Sequence, residues 1–402
     1  MATSDQEPEN ENKPDRDPSR VLVRVLVVDD SALMRRLLTD LLHSSPEIEV
    51  IGTARNGREA VLQAVKLKPD VITLDVEMPE VSGLEALPAL LALHAAPVIM
   101  VSALTQEGAD VTLQALELGA VDFLPKPERN QLAELRGSRD LLIAKVLSAA
   151  QSRVHRPRRT AAPPSTTSTS SVTTHKPHPA RSRPPGSGSP PTSTTTSAGT
   201  PAHGCACIVI GISTGGPQAL SQIFPVLAPP IPPILIVQHM PGQFTGVFAE
   251  RLNRYSSLTV KEAEEGDQVL PDRVLVAPGG RHMALAGLPP RLRITLSDEP
   301  PVSGHRPSID VLFQSAARLY QSATVGLIMT GMGRDGVEGC KAILSAGGLV
   351  LGQDEPSSVV YGMNKAAFLE GAVKAQFGLD ELPGILQNIA AFRAELESTS
   401  AD

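Results

Sequence analysis

The 402-residue chain has no tryptophan, three tyrosines, eight phenylalanines and three cysteines. So few rings leave the core to aliphatic side chains. Cys205, Cys207 and Cys340 cannot build a disulfide framework, and Cys205 and Cys207 stand too close together, with no second pair, to clamp a metal. No apolar run is long enough to cross a bilayer, and the acidic, polar N-terminus lacks the basic and apolar regions of a signal peptide. These absences predict a cytoplasmic protein with no membrane insertion. A net charge of -7 argues against a general nucleic-acid binder.

What is present falls into blocks. Residues 1–20 set Asp5, Glu7, Glu9, Glu11, Asp15 and Asp17 among prolines, with too little apolar surface to offset ordering entropy, and read as a disordered acidic tail. Residues 21–150 alternate helical patterns with the apolar runs Val23 to Val28, Val50 to Thr53, Val71 to Leu74, Val98 to Val101 and Val121 to Leu124. Five strands separated by helices predict an α/β domain on a doubly wound parallel sheet, because parallel strands need crossovers. Residues 151–206 are rich in Pro, Ser and Thr, hold no acidic residue and carry cations such as Arg153, Arg158 and Lys176. They read as a flexible linker that lets the flanking domains move. Residues 207–396 open a second α/β series, with strands at Cys207 to Ile210, Ile234 to Val237, Val274 to Ala277, Val325 to Met329 and Leu349 to Leu351. Helical patterns begin at Pro217, Phe244, Ile309 and Val337, and Arg291 to Leu296 reads as an antiparallel addition.

In the first domain Asp29 and Asp30 end the first strand, Asp75 ends the third, Ser102 ends the fourth and Lys126 lies just past the fifth. Carboxyl ends of parallel strands share one crevice, so these residues converge. Three carboxylates together need a cation, and hard oxygen ligands suit Mg²⁺, which also neutralises an incoming phosphoryl group and leaves Asp75 to attack it. Taken singly, each aspartate could equally cap a helix. The motifs Val-Val-Asp29-Asp30-Ser, Leu-Asp75-Val-Glu-Met-Pro and Leu-Pro-Lys126-Pro resemble the signatures of a response-regulator receiver domain. That resemblance makes Asp75 the phospho-acceptor, Asp29 and Asp30 the magnesium-side acids, Ser102 the switch hydroxyl, Lys126 the phosphate contact and Phe123 the aromatic switch residue. It implies a histidine kinase as phosphodonor.

In the second domain the run Cys207 to Ile210 leads into Gly211-Ile212-Ser213-Thr214-Gly215, the spacing of a nucleophile on a strand-to-helix turn. The same glycine-rich turn serves phosphate binding or tight packing equally well. His239 follows its own strand, and Asp335 closes the turn after Val325 to Met329, so a hydroxyl, a base and an orienting carboxylate share one sheet edge. The order Ser, His, Asp disfavours the α/β-hydrolases, in which the acid precedes the histidine. Ile-Gly-Ile-Ser213-Thr-Gly-Gly, Gln-His239-Met-Pro, Ala-Pro-Gly-Gly-Arg-His282, His305-Arg-Pro-Ser-Ile-Asp310 and Thr-Gly-Met-Gly-Arg-Asp335-Gly resemble the chemotaxis methylesterase catalytic domain.

With the receiver in front, both domains together resemble the CheB family of protein-glutamate methylesterases and protein-glutamine glutaminases. The resemblance implies that Ser213 is nucleophile, His239 general base and acid, and Asp335 the orienting carboxylate, with methyl-accepting chemoreceptors as substrate, no cofactor in the esterase domain and a monomeric protein. Ile212 stands where alanine is usual, Gly242-Gln243 where Pro-Gly or Ala-Gly is common, and Asn364 where proline is usual; none removes a reacting group. His282, His305 and Arg306 read as cleft residues without an assigned role. A DNA-binding output is disfavoured by the absence of a basic helix-turn-helix, and a nucleotide-binding one by the absence of Gly-x-x-x-x-Gly-Lys-Ser/Thr. A catalytically inactive adaptor that binds receptors or signalling proteins is the alternative function.

Overall fold

Apolar runs such as Val25-Leu26-Val27-Val28 and Ile208-Val209-Ile210 have no polar alternation, and strands of that kind need cover on both faces. The computed structural model, which describes residues 22–93, 96–103, 105–126, 132–152, 207–288 and 291–399, provides it. The expected acidic tail, and all of the expected linker beyond residue 152, lie outside the described residues. In the first unit β1 (Val23–Val28), β2 (Ile48–Ala54), β3 (Val71–Asp75), β4 (Val98–Ser102) and β5 (Asp122–Pro125) alternate with α1 (Ala32–His43), α2 (Gly57–Leu67), α3 (Gly83–Leu93), α4 (Gln106–Glu117) and α5 (Leu132–Ala150). The strands pair in parallel in the order β2-β1-β3-β4-β5. The order reverses between β1 and β3, which opens the crevice at their carboxyl ends.

The second unit begins with β6 (Cys207–Ile212), α6 (Gly216–Ile223), β7 (Ile234–Gln238), α7 (Gly242–Tyr255), β8 (Thr259–Glu262), β9 (Arg273–Val276), β10 (His282–Ala286) and β11 (Arg293–Ser297). It continues with α8 (Ile309–Tyr320), β12 (Thr324–Ile328), α9 (Val337–Ser345), β13 (Leu349–Gln353), α10 (Met363–Leu369), β14 (Ala375–Phe377), α11 (Leu382–Gln387) and α12 (Ile389–Thr399). Seven strands form a parallel sheet in the order β14-β13-β12-β6-β7-β9-β8. The chain moves outward from β6 on one side and returns to β12 on the other, so the switch point lies between these two central strands. The expected antiparallel addition is real but does not join this sheet: β11 pairs with β10 as a separate ribbon, and Arg293 adds a single antiparallel bridge to Gln268. The edge strands β8 and β14 escape the sequence reading because each is short and half exposed.

The two units meet along one face. On α7, Arg251 donates to both Glu117 carboxylate oxygens of α4 at 2.7 Å and to Asp110 at 3.0 Å, and the Tyr255 hydroxyl donates to Glu117 at 3.3 Å. Phe123 of β5 packs on Phe244 of α7 with ring centroids 4.4 Å apart. The Thr214 hydroxyl donates to Asp122 of β5 at 2.5 Å, and Lys145 of α5 pairs with the same carboxylate oxygen at 2.7 Å. A half-buried bidentate pair is the strongest single polar tie here. Replacing Arg251 by Ala removes hydrogen bonds to charged groups, typically about 1.5–3 kcal/mol each way of counting the pair. The expected outcome is a larger radius of gyration in small-angle scattering with unchanged circular dichroism; an unaltered scattering curve would remove Arg251 from that role.

Candidate active site

The first crevice gathers the acids. Asp29, Asp30 and Asp75 bring carboxylate oxygens within 4.8 Å of one another. Asp29 Oδ1 accepts the Ser31 amide at 2.8 Å, while Arg35 ties down the Asp29 and Asp30 carbonyls at 2.7 and 2.9 Å. Lys126 reaches Asp75 at 2.8 Å and Asp29 at 3.3 Å. Burial pushes the Asp75 carboxyl up to about 6, opposed by the Lys126 bond and reinforced by the Asp29 charge. Burial would lower Lys126, but the two carboxylates hold it above its ordinary value. Asp29 Oδ2 is buried, and among the described residues only the Lys126 ammonium, 3.3 Å away, offsets its charge. A hard divalent cation fits this donor set, and Mg²⁺ is of that class. Ser102 shares the edge, but its hydroxyl is turned to the Gly108 and Ala103 carbonyls at 3.3 and 3.2 Å rather than to Asp75.

At the second crevice three turns converge. Gly215, with φ +81°, lets β6 fold sharply into α6, and a Cβ there would lie 2.5 Å from Val359. The Ser213 amide donates to the Thr330 carbonyl at 2.9 Å, and the Thr330 hydroxyl donates to the Thr214 carbonyl at 2.9 Å, lacing the end of β6 to that of β12. Gly331 passes so close that a Cβ would lie 2.6 Å from the Ser213 Cβ. Beside them the His239 amide donates to Ile212 at 3.1 Å, and Gln238 Nε2 donates to the Ser213 and His239 carbonyls at 3.0 and 3.2 Å.

His239 Nε2 lies 2.8 Å from Asp335 Oδ2. With Nε2–H donated to the carboxylate, Nδ1 carries the free lone pair, and Nδ1 is buried without a hydrogen-bond partner. Asp335, 1% exposed, also accepts from the Ser308 hydroxyl at 2.8 Å and from the Ile309 and Asp310 amides at 2.7 and 3.3 Å, at the start of α8. Burial alone would raise its carboxyl; the His239 bond, the Ile309 amide and Ser308 outweigh it and keep Asp335 below the usual range. Ser213 shares a cavity of about 500 Å³ with His239, without a hydrogen bond between them. The Ser213 and Gly216 amides are already committed, to the Thr330 and Ser213 carbonyls, which leaves Thr214, Gly215 and the Met332 segment that lines the cavity as candidate oxyanion donors.

All three expected triad members therefore meet at one edge. The cleft histidines differ from each other. His282, 1% exposed, accepts the Ser308 amide on Nδ1 at 3.2 Å and faces the Pro300 carbonyl with Nε2 at 3.1 Å, so it braces the loop that presents Ser308 to Asp335. His305 lies flat on His239, ring centroids 3.8 Å apart and planes 3° from parallel. Asp310, the second residue of α8, accepts the Gly339 amide at 2.7 Å and the Ser303 hydroxyl at 3.1 Å; burial and the Asp335 charge raise its carboxyl. The sequence reading carried Ser308 and Asp310 only inside a motif, without a role, and missed Asp122. The Ser308-Ile309-Asp310 start of a helix two residues after His305-Arg306 is the one signal that marks the first two. The cavity is closed from the other side by Phe123, Pro125, Leu141 and Lys145 of the first unit.

Comparison with known proteins matches both units. The family model described as CheB methylesterase matches residues 208–386, and that described as response regulator receiver domain matches residues 25–136. A protein-glutamate methylesterase/protein-glutamine glutaminase of Koribacter versatilis is 45% identical over 365 residues, 90% of this chain and 95% of that relative. The corresponding protein of Pyrococcus horikoshii is 42% identical over 362 residues, 90% of this chain and 92% of that relative. The crystal structure of the Thermotoga maritima CheB methylesterase catalytic domain is 39% identical, with 45% of this chain and 97% of that one covered and a TM-score of 0.44. With both units matched and relatives aligned over nearly their whole length, this chain belongs to the CheB family of receiver-linked protein-glutamate methylesterase/protein-glutamine glutaminases.

Proposed function

We propose that the chain is a phosphorylation-regulated hydrolase that converts glutamate methyl esters, and side-chain amides of glutamine, on chemoreceptors to glutamate. Its receiver spans residues 21–150 and its catalytic domain residues 207–396. The observation that carries this reading is the 2.8 Å bond from His239 Nε2 to a buried Asp335, beside Ser213 in one cavity. Ser213 Oγ attacks the ester carbonyl carbon and its proton passes to His239 Nδ1. Asp335 holds the ring and offsets the imidazolium charge. Collapse of the tetrahedral intermediate expels methanol, which takes the proton from His239 and leaves an acyl-enzyme. Water then attacks with His239 as base, and glutamate is released from Ser213. With an amide substrate the leaving group is ammonia. Backbone amides of the Thr214 and Met332 segments supply the oxyanion donors, each worth about 10²–10³ in rate.

In the closed arrangement, residues of the first unit wall the cavity beside Ser213, and access for a receptor helix requires them to move. A histidine kinase supplies the phosphoryl group to Asp75; Asp29, Asp30 and Asp75 are the residues that would hold Mg²⁺, which would offset the charge of that group. Lys126 is placed to take a phosphate oxygen, and Ser102 to turn from Gly108 toward it. The inactive adaptor finds no support in a site that retains hydroxyl, base and acid together.

Two outcomes are expected. Methanol release from membranes carrying methylated receptors falls by about 10⁴-fold or more in Ser213→Ala and in His239→Ala, the scale typical of a lost triad member. Near-normal release by Ser213→Ala would refute the mechanism. A small phosphodonor with Mg²⁺ raises release by the wild type but not by Asp75→Asn, and chelating the metal abolishes the stimulation; stimulation that persists in Asp75→Asn would place the acceptor elsewhere.

A further inference from the structure

We infer that His305 is a positioning residue for the general base: its imidazole face, laid parallel on His239, fixes that ring against Asp335 and stabilises the imidazolium that forms when Ser213 gives up its proton. This rests on the proposed esterase mechanism and adds to it a residue that acts through His239.

The contact is built. Val302 and His305 exchange backbone hydrogen bonds of 3.1 and 2.9 Å across Ser303 and Gly304, both of which have positive φ, +52° and +80°. Two left-handed central residues make the tight turn of a two-residue hairpin. Gly304 adopts this conformation at no cost, but Ser303 does not, and strain at a non-glycine residue persists only where the surroundings hold it. They do: the Ser303 hydroxyl donates to Asp310 at 3.1 Å, and Asp310 is itself anchored by the Gly339 amide. Asp310 thus fixes the turn, the turn fixes His305, and His305 covers one face of His239. A parallel aromatic pair at 3.8 Å leaves no room for the His239 ring to tilt away from Asp335.

The charges around the stack favour this role. His239 meets Asp335 in its plane and His305 on its face; Lys145 of α5 and Arg306 of the same loop line the cavity, and Asp310 stands behind Asp335. Burial, followed by the neighbouring His239, pushes His305 down to about 4, with Lys145 acting in the same direction and Asp335 against it. Near neutral pH His305 therefore presents an uncharged π face. An uncharged ring attracts a cation placed over it, whereas a second imidazolium would repel one.

The test uses the full chain with a phosphoryl analogue and Mg²⁺, and three variants: His305→Ala, His305→Leu, which keeps bulk without a π face, and His305→Phe, which keeps the face without nitrogens. Two rates are read, methanol release from methylated receptor membranes and covalent labelling of Ser213 by a small fluorophosphonate. Expected are losses of about tenfold in kcat and in labelling for Ala and Leu, the scale of a lost aromatic contact, with KM within about twofold and Phe within about threefold of wild type. The leucine variant keeps the comparison valid if the alanine variant fails to fold. The inference is overturned by wild-type rates in Ala or Leu, by a loss confined to KM, or by a phenylalanine variant as slow as alanine. Should the wild type label at Ser213 in the expected order of variants yet release no methanol, the esterase assignment fails and the role of His305 in activating Ser213 stands.

Discussion

A carboxylate that is 1% exposed must find a partner for nearly every lone pair, and Asp335 finds them on two stretches of chain besides its own: His239 after β7, and Ser308 with the first amides of α8. Leaving such a charge unpaired would cost several kcal/mol, so the three stretches are held together by the same requirement that keeps Asp335 ionised. Its position follows from topology. Because β6 and β12 are neighbours at the switch point and β7 lies beside β6, the loops that carry Ser213, His239 and Asp335 leave the sheet side by side. The backbone then removes the remaining slack, through Ser213 N to Thr330 O and through the close passage of Gly331 against Ser213. The helix start also acts electrically: amides that would otherwise be unpaired at the N-terminus of α8 stabilise the ionised acid.

Much of this was legible in the chain because unbroken apolar runs mark buried parallel strands, and the residue after each such run marks the crevice. Asp29, Asp75, Ser213, His239 and Asp335 could all be placed in that way. What escaped depends on contacts between loops. Nothing in the local pattern around Asp122 says that it accepts Thr214, 92 residues away, and nothing around His305 says that its ring lies flat on another. Asp310 reads as an ordinary acid in the first turn of a helix, and its buried position against Gly339 and Ser303 appears only when α8 and α9 pack. The reading of Arg291 to Leu296 gave the pairing sense but no partner, because β10 begins at His282, which reads as part of a motif rather than of a strand.

The two sites are joined by two short elements. Along β5, Asp122 touches Thr214, Phe123 touches Phe244, and the strand ends one residue before Lys126, whose ammonium spans Asp75 and Asp29. Along α4, the Gly108 carbonyl accepts the Ser102 hydroxyl at one end, and Asp110 and Glu117 hold Arg251 further on. On the proposed function, a phosphate on Asp75 would engage both starting points, because its oxygens would draw Lys126 from the carboxylates and offer Ser102 a better acceptor than a carbonyl.

That double engagement answers a problem of magnitude. Moving a two-state equilibrium from 1:99 to 99:1 takes about 5.5 kcal/mol of differential interaction, and a modification that favours neither state shifts nothing. An aromatic pair contributes about 0.5–1.5 kcal/mol, and a hydrogen bond to a charged group about 1.5–3. No single contact across this face reaches the required difference. On the proposed function, phosphorylation would have to weaken several of these contacts at once, and Lys126 and Ser102 are the two side chains through which one phosphate on Asp75 would reach both β5 and α4.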